Sequence, residues 1–185
     1  MQQQIPPQFP TLITERLILR KLEKNDAPEI FKLRSDDLVN QYIDRPKAIM
    51  LTEAVEFIHK IETGVNNGEC FYWAISLRDD SKLIGTICLW NIEKESCRAE
   101  VGYELQPGFQ GKGLMQEALS EIIDYGFNVL QFNTLVACSN SANKQSIRLL
   151  EKFNFNRDAV LENEYYNKEG SVKDIIYSLK KPGFR

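Results

Sequence analysis

Apolar and polar positions along this 185-residue chain alternate with period two in some segments and recur at helical spacing in others. Residues 11–22 alternate around Leu17 and Leu19 and predict a strand. Asn25 and Asp26 then offer N-caps, Pro28 suits a first helical turn, and Ala27, Ile30, Phe31 and Leu33 continue as a helix. Residues 36–50 read as an irregular polar connection. Thr52 opens a second helix with Val55, Ile58 and Ile61 on its stripe, ended by Asn66-Asn67-Gly68. Three strand-like runs follow at 70–77, 82–92 and 98–105, the first two joined by the turn Asp79-Asp80-Ser81 into an antiparallel hairpin. A glycine-rich loop leads into a helix over 113–130, with Leu114, Ala118, Ile122, Tyr125 and Val129 at helical spacing. A short strand at 134–138, a helix at 143–152 and two last strands at 155–164 and 172–179, separated by residues 167–170, complete the pattern. The order β-α-α-β-β-β-α-β-α-β-β predicts an α+β, or mixed α/β, domain built on one mixed sheet. One domain over 11–185 is expected, after a flexible arm at 1–10.

Charge and composition narrow the function classes. The net charge of -3 gives no electrostatic basis for binding nucleic acid. No apolar run is long enough to cross a bilayer, so no membrane partner is expected. The first residues lack the basic and apolar regions of a signal peptide, which points to a cytoplasmic protein. Cys70, Cys88, Cys97 and Cys138 are widely spaced, so neither a metal site nor a disulfide framework is expected, and the first, second and fourth lie in apolar runs as buried thiols.

The candidate chemistry centres on Pro107-Gly108-Phe109-Gln110-Gly111-Lys112-Gly113-Leu114-Met115. A Walker-type loop needs Ser or Thr after its lysine, and Gly113 stands there. A dinucleotide fingerprint needs a third glycine where Gln116 stands, and a βαβ unit where three antiparallel strands precede. Two readings remain: a helix N-terminus whose amides face an anion, with Lys112 adding charge, or a helix-entry turn that merely needs flexible residues.

The stretch "AEVGYELQPGFQGKGLMQEAL" resembles the cofactor-binding core of the GNAT acetyltransferases. Gln110-Gly111-Lys112-Gly113-Leu114-Met115 meets that family's Gln/Arg-x-x-Gly-x-Gly/Ala pattern except at Met115, where a small residue is usual. "SNSANKQSIRLLEKFNF" resembles the family's Asn-x-x-Ser-x-x-Leu-x-x-x-Gly-Phe signature through Asn143, Ser146, Leu149 (or Leu150) and Phe155, with Asn154 replacing the glycine of a left-handed helix end. "TERLILRKL" and "EYYNKEGSVKDIIYSL" are similar to the RimJ/RimL branch, which modifies N-terminal amines of ribosomal proteins. The resemblance implies acetyl-CoA as cosubstrate, with no metal. It also implies that amides from Gln110 through Met115 hold the pyrophosphate, and that the strand ending at Glu104-Leu105 splays from the strand at 134–138. The pantetheine arm would lie in that opening, faced by Asn143 and Ser146.

Acetyl transfer to an amine needs a base, a polarised carbonyl and a proton for the leaving thiolate. Glu100 is one candidate base, on the same strand face as Gly102 and Glu104. Glu164 is the other, at an acidic position of the RimJ/RimL-like branch. Each also reads as an ordinary surface carboxylate. Ser146 is the general-acid or thiol-orienting candidate by resemblance; with no base near it in sequence, it does not read as a nucleophile. Tyr103, Tyr165 and Tyr166 either line the cleft or pack in the core. His59, the one histidine, reads as a surface residue, Trp73 and Trp90 as core or interface, and the Asp36-Asp37 pair as loop charges. The expected function is N-acetylation by direct attack in a ternary complex, with a protein N-terminal α-amine as acceptor. The alternatives are a small amine (polyamine, amino sugar or amino-acid-like metabolite) as acceptor, or a CoA-binding module without turnover. The exposed ends of the last strands leave room for a homodimer.

Overall fold

The structure, a computed structural model, describes residues 9–169 and 174–183. Most of the expected N-terminal arm therefore lies outside the described residues, as do Gly170 and Val172 of the expected last turn and strand, and the side chains of Tyr165 and Tyr166. Two short strands, β1 (Leu12–Ile13) and β2 (Leu17–Lys21), replace the single expected first strand. Thr14 makes the break. Its amide donates to the Leu17 carbonyl at 3.0 Å and its hydroxyl accepts from the Leu17 amide at 3.0 Å, which turns the chain back on itself. Helix α1 (Ala27–Ser35) carries Pro28 in its first turn, as expected.

The stretch at 36–50 is not wholly irregular. It contains α2 (Asp37–Asn40), held by the Asp36 carboxylate, which accepts from the Leu38 and Val39 amides at 2.8 and 2.9 Å. Helix α3 (Leu51–Asn66) begins just before the expected cap Thr52, because Glu53 reaches back to the amides of Ile49 and Met50 at 2.6 and 2.8 Å.

The expected hairpin is present: β3 (Phe71–Leu77) and β4 (Asp80–Glu93) pair antiparallel, and β5 (Arg98–Leu105) adds to β4. Helix α4 (Leu114–Asp124) runs on into a single π-helical turn at Tyr125–Val129. Then follow β6 (Thr134–Asn140) and α5 (Lys144–Lys152), whose far end turns at Asn154 with φ 61°, the left-handed conformation that asparagine tolerates.

The strand expected at 155–164 is instead a two-residue β7 (Asn156–Arg157) followed by α6 (Ala159–Glu169). Asp158 starts that helix. Its carboxylate accepts from the Leu161 amide at 3.1 Å and its carbonyl from the Glu162 amide at 2.9 Å. β8 (Asp174–Lys180) closes the chain. The described residues thus hold one mixed, mostly antiparallel sheet of eight strands in the order β1-β2-β3-β4-β5-β6-β8-β7, with six helices; about seven and four were expected.

The alternation along each strand sends side chains to two cores. One face buries Phe71, Trp73, Ile75, Ile87, Leu89, Ala99 and Val101 against α4 and α5. The other carries Tyr72, Ala74 and Leu83 under α1 and α3, and Val136 with Ile176 under Leu161 of α6. No helix among the described residues is long and apolar enough to cross a membrane.

Candidate active site

β5 and β6 run parallel but pair only at Arg98–Thr134, Ala99–Leu135 and Glu100–Val136. Beyond Glu100, β5 stays bound to β4 as far as Leu105–Gly85, while β6 stays bound to β8 as far as Asn140–Asp174. Each strand is held by its outer neighbour, so the inner edges diverge and leave backbone groups of both strands facing an opening. On this free length of β6, the Ser139 hydroxyl is buried and has no hydrogen-bond partner in the protein. A buried orphan hydroxyl costs about 1–3 kcal/mol unless something supplies the missing bond.

The glycine loop lies where β5 leads into α4. Gly111 and Gly113 have φ of 73° and 75°, the left-handed region that favours glycine. A side chain on Gly111 would meet nothing within 4 Å, so the loop is open on that side. Gly113 is the N-cap of α4, and Leu114 and Met115 follow as its first residues, whose amides have no acceptor within the helix. The expected side-chain roles divide. The Gln110 amide nitrogen donates to the Leu105 carbonyl at 2.9 Å and closes the loop on the strand. Leu114 is buried and Met115 packs half-buried on the core. Lys112 is exposed, its ammonium 5.5 Å from the Phe109 ring centre.

Across the opening from the glycine loop, past the end of β6, the first turn of α5 is fixed by Asn143, whose side-chain oxygen accepts from the Ser146 amide at 3.1 Å. Ser146 Oγ then lies 2.9 Å from the Tyr103 phenol on the free length of β5. Burial pushes the Tyr103 hydroxyl up to about 12, and the bond to Ser146 lowers it only partly. The pair therefore keeps both protons at neutral pH.

The opposite face of β5 carries Glu100, Gly102 and Glu104, as the alternation predicted. Glu100 is buried, opposite Trp90 on β4. Glu104 accepts from Arg45 at 2.6 Å and lies 3.4 Å from the Thr86 hydroxyl, which bonds the Tyr72 phenol at 3.0 Å. Arg45 reaches it from the loop between α2 and α3 and also donates to Asn40 at 2.7 Å. Burial pushes the Tyr72 phenol and the Cys88 thiol well up on this face, so Cys88 is no thiolate nucleophile. Trp90, expected in a core or interface, is 47% exposed; its indole nitrogen lies 3.6 Å from where a Gly102 side chain would begin. Glu164 is on α6 rather than a strand, half-exposed, 3.5 Å from Arg98, which also binds Glu93 at 2.7 Å. The structure thus brings Glu100 and Glu164 to one face of the sheet and Ser146 to the other.

The remaining candidates fall away from this centre. His59 is exposed on α3 and Trp73 is fully buried. Asp36 caps α2 and Asp37 pairs with Lys47. The four cysteines are thiols outside any disulfide and are half-buried. Sequence reasoning missed the roles of Glu104 and Arg45, of Ser139, and of Arg16, which bonds the glycine loop. Tyr103 was seen without its partner. Only Tyr103 and Glu104 carried a signal, through their places on the strand before the loop.

The Acetyltransferase (GNAT) domain profile matches residues 16–156. The chain is 33% identical to the uncharacterized N-acetyltransferase YoaA of Bacillus subtilis (strain 168) over 174 residues, 94% of this chain and 98% of that protein. It is 26% identical to the [ribosomal protein uS5]-alanine N-acetyltransferase of Escherichia coli (strain K12), over 92% of this chain and 91% of the other. Among solved structures, Mycobacterium smegmatis RimJ in complex with CoA-disulfide superposes with a TM-score of 0.74 at 19% identity, covering 92% of this chain and 86% of that one. The glycine loop at a helix start, beside two strands that part, thus sits in a chain that belongs to the GNAT acetyltransferase family, enzymes that use acetyl-CoA.

Proposed function

We propose that the enzyme transfers the acetyl group of acetyl-CoA to the α-amine of a protein N-terminus by direct attack in a ternary complex. The observation that carries the cosubstrate reading is the opening between β5 and β6. It is bounded by the glycine loop on the β5 side and by the Tyr103–Ser146 pair on the α5 side. The residues fit the group. The Gln110 amide is taken by the Pro107 carbonyl at 3.2 Å, so the amides at 111–115, with open space at Gly111, suit a pyrophosphate, while the orphan Ser139 hydroxyl and the unpaired strand edges suit the amides of a pantetheine arm. RimJ of Mycobacterium smegmatis, similar in fold, was solved with CoA-disulfide, which supports a CoA-type cosubstrate.

When bound, acetyl-CoA supplies a thioester whose C–S bond breaks as the amine's N–C bond forms. The protein's part is two proton movements. Glu100, on the face opposite Ser146, takes the proton of the incoming amine, directly or through water. Glu164 helps hold that amine in register with Arg98. Ser146, backed by the Tyr103 phenol, donates to the departing sulfur. An α-amine, with a pKa of about 8, needs less help to lose its proton than a lysine near 10.4. Likeness to an alanine N-acetyltransferase of ribosomal protein uS5 over nine-tenths of the chain supports this acceptor.

The test is a thiol-release assay with acetyl-CoA against short peptides with free or acetyl-blocked N-termini, beside polyamines and amino sugars. Turnover on free but not blocked peptides is expected. Turnover confined to the small amines overturns the acceptor, and none on any panel by a protein that still binds CoA overturns the catalytic reading.

A further inference from the structure

We propose that Arg16 is a positioning residue for the glycine loop: it holds the Lys112 carbonyl and so turns the Gly113 amide toward the pyrophosphate. This rests on the reading of the loop given above and deepens it.

Five hydrogen bonds close a ring between the N-terminal strands and the start of α4. Arg16 Nη1 donates to the Lys112 carbonyl at 3.0 Å. Arg16 Nε and the Arg16 backbone amide each donate to the Glu117 carboxylate at 2.7 Å, and the Thr14 hydroxyl donates to the same carboxylate. Glu117 returns to the loop through its own amide, which donates to the Gly113 carbonyl at 3.1 Å. One guanidinium thus spans a loop carbonyl and a carboxylate anchored in the helix, as a planar fork of donors allows.

The consequence lies in the peptide between Lys112 and Gly113. It is trans, as is every peptide bond described. In a trans peptide the C=O and N–H point in opposite directions. A Lys112 carbonyl fixed on Arg16 therefore sends the Gly113 N–H to the far side of the loop. Glycine at 113 leaves φ free to take either sign, so the backbone alone does not choose this orientation. Arg16 chooses it. Its Nη2 lies 3.5 Å from where a Gly113 side chain would begin, so the guanidinium rests directly against the peptide it orients.

The test compares wild type, Arg16→Ala and Arg16→Lys by calorimetric titration with CoA and with pantetheine, which lacks the pyrophosphate, alongside thermal melting of each protein. Both variants should bind CoA about tenfold more weakly or worse, as expected when a charge-assisted bond is lost, and bind pantetheine as wild type does. Arg16→Lys keeps the charge but not the fork, so lysine binding CoA like wild type, with alanine defective, overturns positioning in favour of charge alone. Equal loss for both ligands marks a general structural role and overturns the proposal, as does no loss for either. If Arg16→Ala does not fold, Arg16→Lys carries the comparison. A wild type that binds CoA no better than pantetheine overturns the pyrophosphate reading of the loop, and this proposal with it. A wild type that prefers CoA but acetylates no peptide leaves the loop and Arg16 standing while the acceptor reading fails.

Discussion

The phenol of Tyr103 and the hydroxyl of Ser146 lie 2.9 Å apart and tie the free end of β5 to the first turn of α5. Asn143 fixes that turn, so the hydroxyl is positioned by bonds within the protein. Ser146→Ala should lower kcat about 10²-fold, the usual scale of a general acid, with KM for acetyl-CoA nearly unchanged. Tyr103→Phe should cost less, since it removes only the backing bond. Because burial pushes the phenol from its ordinary 10 up to about 12, it keeps its proton through the assay range. A pH–rate profile in which a limb near pH 10 disappears on Tyr103→Phe would contradict this arrangement.

Glu100 and Glu164 make separable predictions. Glu100 is buried at the last β5–β6 pair, whereas Glu164 is half-exposed and 3.5 Å from Arg98. Glu100→Gln should reduce kcat/KM for a peptide acceptor about 10²-fold or more at neutral pH. The deficit should shrink above about pH 8, where the α-amine deprotonates without help. Glu164→Gln should raise the acceptor KM with little change in kcat. The reverse pattern in a steady-state series at two pH values would exchange the two roles.

These sites were legible in the sequence to different degrees, and the reasons are physical. The glycine loop and Asn143–Ser146 are local: two left-handed glycines before a helix, and a cap three residues before a serine, need no distant partner to be read. Tyr103 meets Ser146 across 43 positions and Arg45 meets Glu104 across 59, pairings that only the folded sheet brings together. The misplaced strand at 155–164 has another cause. Its apolar residues suit either period, and Asp158 tips the balance to α6 by capping, a signal that competes with the β-prone run before it. Trp90 read as core or interface because its strand is apolar; it is half-exposed on the side of β5 where Gly102 offers no side chain to cover it, which removes only the core reading.

Arg45 and Glu104 form a mostly buried ion pair, with side chains 18% and 8% exposed. Removing one member strands the other. Arg45→Met should therefore destabilise the fold by about 3–5 kcal/mol, while Arg45→Met with Glu104→Gln should recover most of the loss. Denaturant unfolding of the two singles and the double measures the coupling, and additive losses would mean the pair is solvated rather than buried. The same series bears on the proposed acceptor side, because Glu104 shares the face of β5 that carries Glu100. The double variant, restored in stability, should still bind CoA normally, since the pair lies on the sheet face away from Tyr103 and Ser146.

Glu117 gives the fold a pH dependence of known sign. Burial raises its pKa, but the bonds from the Thr14 hydroxyl and from the Arg16 amide and guanidinium outweigh that, and the net shift is downward from 4.5. The unfolded chain lacks those bonds and so binds the proton first as pH falls. Its contribution to stability is therefore complete above about pH 4.5, declines as pH drops through the folded-state value and is gone below it. Glu117→Gln removes this dependence. Its unfolding free energy should sit below that of wild type at neutral pH, and the gap should narrow as both are titrated from pH 6 to 3. A gap that stays constant over that range would show that the three bonds to the carboxylate do not favour its charged form. A gap that widens toward acid would reverse the sign and place the group's folded pKa above its unfolded one.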